Sequence, residues 1–169
     1  MRILTNIIVL LSAITVIGCA SKPVPSLALG DRVDFRLLQD QMGNTFTHQN
    51  KMKLVLFAQG MGSKDLVQDS LEAIDTACMS DGELVYLANI SGMPTIISKL
   101  VAIPRMRDYP YPIWLDLDGL ATEGLPSRDE QVTVLSIAQQ SITETEYFSD
   151  VAALSKRLLT VCDAAPLAP

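Results

Sequence analysis

Few side chains able to attack, carry a proton or hold a metal stand close together in this 169-residue chain. Its three cysteines are Cys19, Cys78 and Cys162, and its single histidine is His48. A thiolate can attack carbon or sulfur, exchange disulfides or bind metal. One histidine excludes an all-histidine metal site, and the scattered cysteines argue against Cys/His zinc ligation. No metal or cofactor is therefore expected. Ser63 and Lys64 are adjacent and could pair as nucleophile and base. Neighbours at a helix start point apart, however, and Ser63 is placed to cap the helix that follows. Asp116 and Asp118 in WLDLDG could offer oxygens to calcium, but the further ligands and distal glutamate of such a loop are missing. The pair suits turn chemistry at a strand end. His48 has no second ligand nearby and reads as a solvent-exposed strand residue. Glu144 and Glu146 alternate along a late strand, where charge protects a sheet edge. The densest recognition chemistry is in IPRMRDYPYPIW, where Arg105, Arg107, Tyr109, Tyr111 and Trp114 gather around three prolines. Arginine and aromatic residues are enriched at binding hot spots. A rigid crossover loop covering the sheet, with Trp114 in the core, is the competing reading of that segment.

Composition narrows the classes further. With 19 acidic and 13 basic residues the net charge is -6, and no basic patch offers the footprint of a nucleic-acid binder. The length suits one domain with a real core. Three cysteines are too few for a disulfide-dense scaffold.

The N-terminus is read apart from the fold. Arg2 supplies a positive start, and Ile7 to Ile17 form a mostly apolar run interrupted by Ser12 and Thr15. That run is short for a permanent membrane span. Val16-Ile17-Gly18-Cys19 resembles the lipobox of bacterial lipoproteins. The resemblance implies cleavage after residue 18 and thioether lipidation of Cys19, whose acyl chains would anchor the protein to a membrane. An ordinary secretory signal with a chance cysteine is the alternative. Cleavage would remove Arg2 alone among the charges, leaving 12 basic and 19 acidic residues and a net charge of -7. Ala20 and Ser21 follow the cysteine with no aspartate, which by the same resemblance implies the outer rather than the inner membrane, facing the periplasm. Residues 19–30 read as a lipidated tether, 31–163 as the domain and 164–169 as a flexible tail.

Within the domain, residues 33–38 and 45–49 read as a hairpin around the DQMGN turn. The apolar runs of 53–59 and 83–90 suit strands buried on both faces. Between them a helix is predicted from Ser63 to about Cys78, on the stripe of Leu66, Leu71, Ile74 and Ala77. Pro94 suits the first turn of a second helix over 95–103, which Pro104, Pro110 and Pro112 should break. A third strand covers 112–117. Residues 131–137 and 142–148 flank AQQS as a late hairpin, and Ser149 or Asp150 caps a last helix over 151–162. Alternating strands and helices imply a largely parallel sheet with helices on both faces.

This order of elements resembles the thioredoxin-like superfamily in its peroxiredoxin and TlpA arrangement. The residues that carry the resemblance are GDRVDFRLLQDQMGNTFT, KLVLFAQ and ELVYLANI, then WLDLDGLATEGLP, the QVTVLSI hairpin and the terminal helix. It covers about residues 29–160. It implies a three-layer α/β/α sandwich with an N-terminal hairpin and a C-terminal hairpin plus helix. It also implies a reactive cysteine in the loop after the first central strand. Here that loop is Gln59-Gly60-Met61-Gly62-Ser63-Lys64-Asp65, with no cysteine. Disulfide exchange and peroxide reduction need a thiolate. The proline usually next to the late hairpin is displaced to Pro126, with Glu130 just ahead of the strand. The combination is similar to the redox-silent periplasmic proteins of the YtfJ type.

In that arrangement the helices bearing Cys78 and Cys162 share a sheet face. The resemblance therefore implies a disulfide at the pole opposite the usual active site, with two buried free cysteines as the alternative. The function expected is a membrane-anchored envelope lipoprotein with a redox-inactive binding or assembly module and an envelope protein as partner. Its surface would comprise Gln59, Met61, Ser63, Lys64, Arg105, Arg107 and Tyr109. A redox protein cycling Cys78 and Cys162, or an enzyme of unassigned chemistry at the same loop, are the alternatives.

Overall fold

The computed structural model describes residues 25–162 apart from the side chain of Met61. The leader, Cys19 and the 164–169 tail lie outside the described residues. The elements are β1 (Gln39–Asp40), β2 (Leu54–Gln59), α1 (Met61–Glu72), α2 (Ala77–Ser80) and β3 (Leu84–Asn89). A helical run follows as α3 (Thr95–Ile97), a π-helical turn (Ser98–Ala102) and α4 (Ile103–Met106). Then come β4 (Trp114–Asp116), β5 (Val132–Ala138), β6 (Ser141–Phe148) and α5 (Val151–Cys162). No described helix is long and apolar enough to cross a membrane.

One six-stranded sheet has the order β1-β4-β3-β2-β5-β6. Its centre is parallel, β2 with β3 and β3 with β4, and its flanks are antiparallel. The continuous apolar runs predicted as doubly buried strands are that. Leu54, Leu56 and Ala58 of β2 enter one core with Leu84, Tyr86 and Ala88 of β3. The alternate residues Val55 and Phe57, with Val85 and Leu87, enter the other.

The two faces are covered differently. Helices α1, α2 and α5 and the end of the 95–106 run cover the first, through residues such as Val67, Leu71, Met106, Leu154 and Leu158. The second is covered by irregular chain carrying Val33, Phe35, Leu38, Phe46, Met52 and Leu125, where a helical layer was expected. Topology explains this. The steps β2 to β3 and β3 to β4 move the same way across the sheet, so two right-handed crossovers lie on the same face. The N-terminal segment must cover the other.

That segment forms less strand than predicted. Residues 33–38 stay irregular, and the hairpin reduces to Gln39–Asp40 with a single bridge from Gln39 to Thr45. Buried amides do the pairing instead. Gln49 accepts the Phe35 N–H at 3.0 Å and donates to the Val33 carbonyl at 2.6 Å. Leu27 and Gly30, read as tether, donate backbone bonds to Gly124 at 2.6 Å and Ile142 at 2.7 Å.

Two helix ends are corrected. The first helix ends at Glu72 rather than Cys78, because Asp75 accepts the Ala77 N–H at 2.9 Å and starts a separate turn. Pro104 does not end the second helix, which runs on to Met106. The π-helical turn just before it widens the backbone and accommodates the missing N–H and the bulky ring. The last helix and late hairpin follow the prediction. Asp150 caps α5 by accepting the Ala153 N–H at 2.8 Å. The hairpin turns on Gln139 and Gln140, both at positive φ (51° and 67°).

Cys78 in α2 and Cys162 at the end of α5 form a disulfide, their sulfurs 2.11 Å apart and both side chains buried. It closes a loop of sequence separation 84. Disulfides typically contribute about 2–4 kcal/mol. Cys78→Ala/Cys162→Ala should lower the urea-unfolding free energy by about that amount. Stability unchanged by the double substitution would contradict a structural staple.

Candidate functional site

The chain steps from β2 to β3 and β4 on one side and then returns to place β5 on the other, so the strand order reverses at β2. In open α/β sheets such a point leaves a crevice beyond the strand ends. Here β2 ends at Gln59, and Gly60 (φ 97°) turns the chain straight into α1. A residue with a Cβ is strained in that conformation. The helix therefore starts at Met61, two residues before the start expected from Ser63.

Ser63 consequently is not a cap. Its side chain is fully buried, and its hydroxyl donates back to the Gln59 carbonyl at 2.9 Å and towards Gly60 at 3.3 Å. That placement, inside the first turn of α1, removes it from any nucleophile role with Lys64. The α1 start has no side-chain cap of its own. Glu130, at positive φ (57°) just before β5, instead lays its carboxylate against Gly62, where an added Cβ would overlap it. A carboxylate is favourable at a helix N-terminus.

On the β3 side of this turn lies an open cleft of about 700 Å³. Gln59, Lys64, Arg105 and Tyr109 line it, so four of the seven expected recognition residues converge there. Ser63 is buried beneath, and the Met61 side chain lies outside the described residues. Arg107 is elsewhere in role. Its Nε donates to the Gln41 carbonyl at 3.0 Å, while Gln41 donates to Tyr111 O and accepts the Ile113 N–H, both at 2.8 Å. Arg107 thus ties the proline-rich segment to the N-terminal cover. Trp114 is in the second core, as the competing reading of this segment held.

The remaining cleft walls were not singled out from sequence. They come from the β3 end and the following turn, including Asn89 and Met93, and from Ile97 and Val101. The signal was the spacing 97, 101, 105, which repeats every four residues along the helical run, with Tyr109 one step beyond its end. The prolines at 104 and 110 disguised it.

Tyr86 and Tyr109 line the cleft, and Tyr111 stacks behind Tyr109. Burial pushes the Tyr86 hydroxyl well above its ordinary range and that of Tyr111 up to about 12. Tyr109 is raised too, by burial first and then by Asp65. Its ring stacks on Tyr111 with centroids 5.5 Å apart, and its oxygen accepts from Gln68.

The other candidates lie away from the cleft. Asp116 is buried and accepts from Gly119 N at 2.8 Å and from Thr122 N and Oγ1 at 2.7 Å each, as turn chemistry requires. Among the described residues no cluster of three His, Cys, Asp or Glu could hold a metal. Glu146, at the β6 edge, accepts from Arg157 Nε at 2.5 Å. His48 is not the exposed residue expected. It is half-buried, edge-on to Phe46 (5.8 Å) and Trp114 (5.9 Å), with its ring over Gly82.

No protein-family model matches the sequence, and no curated protein matches it. Solved structures do match. A peroxidoxin BcpB from Mycobacterium tuberculosis is 15% identical, with 82% of this chain and 98% of that one covered and a TM-score of 0.50. A thiol:disulfide interchange protein from a Bacteroides species is 16% identical, with 83% and 94% covered and a TM-score of 0.51. A peroxiredoxin-like protein from Aquifex aeolicus is 8% identical, with 82% and 90% covered and a TM-score of 0.51. The fold is thioredoxin-like, as the order of elements implied.

His48 supplies a pH test of the packing. Burial first, then Lys51, lowers its pKa below 6.5, with Asp81 partly opposing. The fold therefore prefers the neutral ring, and this contribution to stability is full above pH 6.5 and lost as pH falls through the folded value. An NMR titration should give a pKa below 6.5, and His48→Gln should flatten the fall in melting temperature between neutral and mildly acidic pH. A pKa at or above 6.5 would contradict the packing.

Proposed function

We propose that the chain is a lipid-anchored envelope protein whose thioredoxin-like domain binds rather than reacts. The observation that carries this reading is the cleft beside a strand-to-helix turn that has no thiol. Two of the matched structures are named for peroxide or thiol:disulfide chemistry, and such chemistry runs through a thiolate. The 59–65 segment of this chain has no cysteine. Lys64 and Arg105 supply recognition charge, and Tyr109 an amphipathic wall. The lipobox at 16–19 supports tethering through Cys19, with the domain facing the periplasm.

A second reading draws on the disulfide itself, since Cys78 and Cys162 could be cycled by a partner thiol. Against it, the two residues retain 2% and 7% of their exposure. They also sit at the far end of α1, a helix of twelve residues and so about 18 Å long. An attacking thiolate has little access there.

Both readings meet in one set of assays. The purified protein should reduce insulin disulfides and consume hydrogen peroxide no faster than buffer. Lys64→Ala/Arg105→Ala should lose envelope components that the lipidated wild-type protein captures, and Cys19→Ala should release the protein from membranes. Turnover by wild type that disappears in Cys78→Ala would establish the redox reading instead.

A further inference from the structure

Charge and apolar surface divide sharply at the cleft. The protein carries a net charge of -6, yet the charged side chains lining the cleft are both cations, Lys64 and Arg105. Neither forms an ion pair or a side-chain hydrogen bond with any described residue, whereas Arg36, Lys53 and Arg157 are all paired with carboxylates. The remaining wall is largely aliphatic, with Ile90, Met93, Ile97, Val101 and Met106 along it. Ile97 and Val101 keep 46% and 41% of their exposure, which is open apolar surface on the very face that meets the cations.

The backbone decides against an extended peptide. Strands β2 and β3 are both paired on both sides, so the cleft has no free sheet edge. The β3 turn spends its amides internally: Ile90 N–H on Asp116 O, Met93 N–H on Ile90 O and Ser91 N–H on Asn89 Oδ1, each at 3.0 Å. A peptide laid there would bury amides without partners, at a cost comparable to each lost hydrogen bond. An aliphatic chain has no such groups. A volume of about 700 Å³ lies within the range of small-molecule sites. The π-helical turn over Ser98–Ala102 forms part of the wall, and π turns concentrate at functional sites.

We propose that the cleft binds a single-chain aliphatic carboxylate. Its chain lies along the Met93, Ile97 and Val101 wall, and its head lies between Lys64 and Arg105. A guanidinium matches a carboxylate bidentately, and an ammonium adds a point charge. Binding is reversible and breaks no bond. This assignment rests on the binding reading above and specifies its ligand.

The test is an amide NMR titration of the purified protein with dodecanoate below its micelle concentration. Shifts should concentrate at 59–64, 89–93 and 97–109. Butanoate should bind at least about a hundredfold more weakly, since it lacks most of the methylenes that the aliphatic wall would bury. Lys64→Met/Arg105→Met should weaken dodecanoate at least about tenfold while leaving the melting temperature near wild type. Val101→Asp, which charges the wall and spares the cations, should do the same. Equal binding of dodecyltrimethylammonium, or shifts centred elsewhere, would overturn the assignment. If dodecanoate fails to bind but Lys64→Ala/Arg105→Ala still abolishes envelope capture, the ligand class is wrong and the binding reading stands. If both fail, both fall.

Discussion

The structure depends on the burial of β2 on both faces and both edges. Its residues alternate between two cores, and it pairs in parallel with β3 and antiparallel with β5. A strand in that position has no polar or flexible side to spare, so each neighbour must be ordered for β2 to be ordered. Because the chain goes to β3 on one side of it and later returns to β5 on the other, the strand order reverses there and leaves a crevice beyond its C-terminal end. The same constraint that makes β2 the centre of the core therefore leaves an opening at Gln59 and Gly60. Gly60 converts that opening into a helix start within one residue, because only glycine adopts its backbone angle without strain.

A second consequence is the asymmetry of the two faces. With both parallel crossovers on one side, the other side has to be sealed by chain without a ladder of its own. Irregular buried backbone requires partners. Gln41 and Gln49 supply them, each buried and each with its amide engaged on main chain from a different segment. Phe46 then fills the space between Phe35 and Trp114, with edge contacts at 6.2 and 4.7 Å. The N-terminal cover also reaches the cleft indirectly. Gln41 holds Tyr111 and Ile113 while Arg107 holds Gln41, so the segment presenting Arg105 and Tyr109 is fixed from behind.

What the sequence made legible follows from how local each signal is. The runs at 53–59 and 83–90 and the AQQS hairpin declare themselves through side-chain period and turn residues, and they are where they were expected. The helix start was misplaced because Ser63 has the chemistry of a cap. What decides its role is the φ of Gly60, three residues earlier, which the glycine permits but does not announce. The early hairpin was over-read for a related reason: its apolar residues do face a core, but Phe35 and Val33 are held by one side chain, that of Gln49, 14 and 16 positions away. Of the site, the charged and aromatic members were visible as residue types. Glu130 against Gly62 and the aliphatic wall were not, because each is made by elements brought together only by the sheet.

The two ends of the molecule then carry different burdens. At the N-terminal ends of the central strands a covalent link joins α2 to α5, and Glu83 fixes the entry to β2 through bonds to its carbonyl from Lys53 N at 2.9 Å and Leu54 N at 3.0 Å. At the other end α1 starts without a side-chain cap, Glu130 holds a strained backbone angle, and two cations stand without partners among the described residues. Unpaired charge, open aliphatic surface and backbone strain each lower stability, and natural structures concentrate them where a ligand is met. A thiolate at this turn would have drawn on the helix N-terminus for its stabilisation. In its absence the Glu130 carboxylate takes that position, and the electrostatic interest of the site moves across the turn to Lys64 and Arg105. On the proposed reading, the crevice that the topology imposes receives a charge supplied by a ligand, at a turn that carries no sulfur of its own.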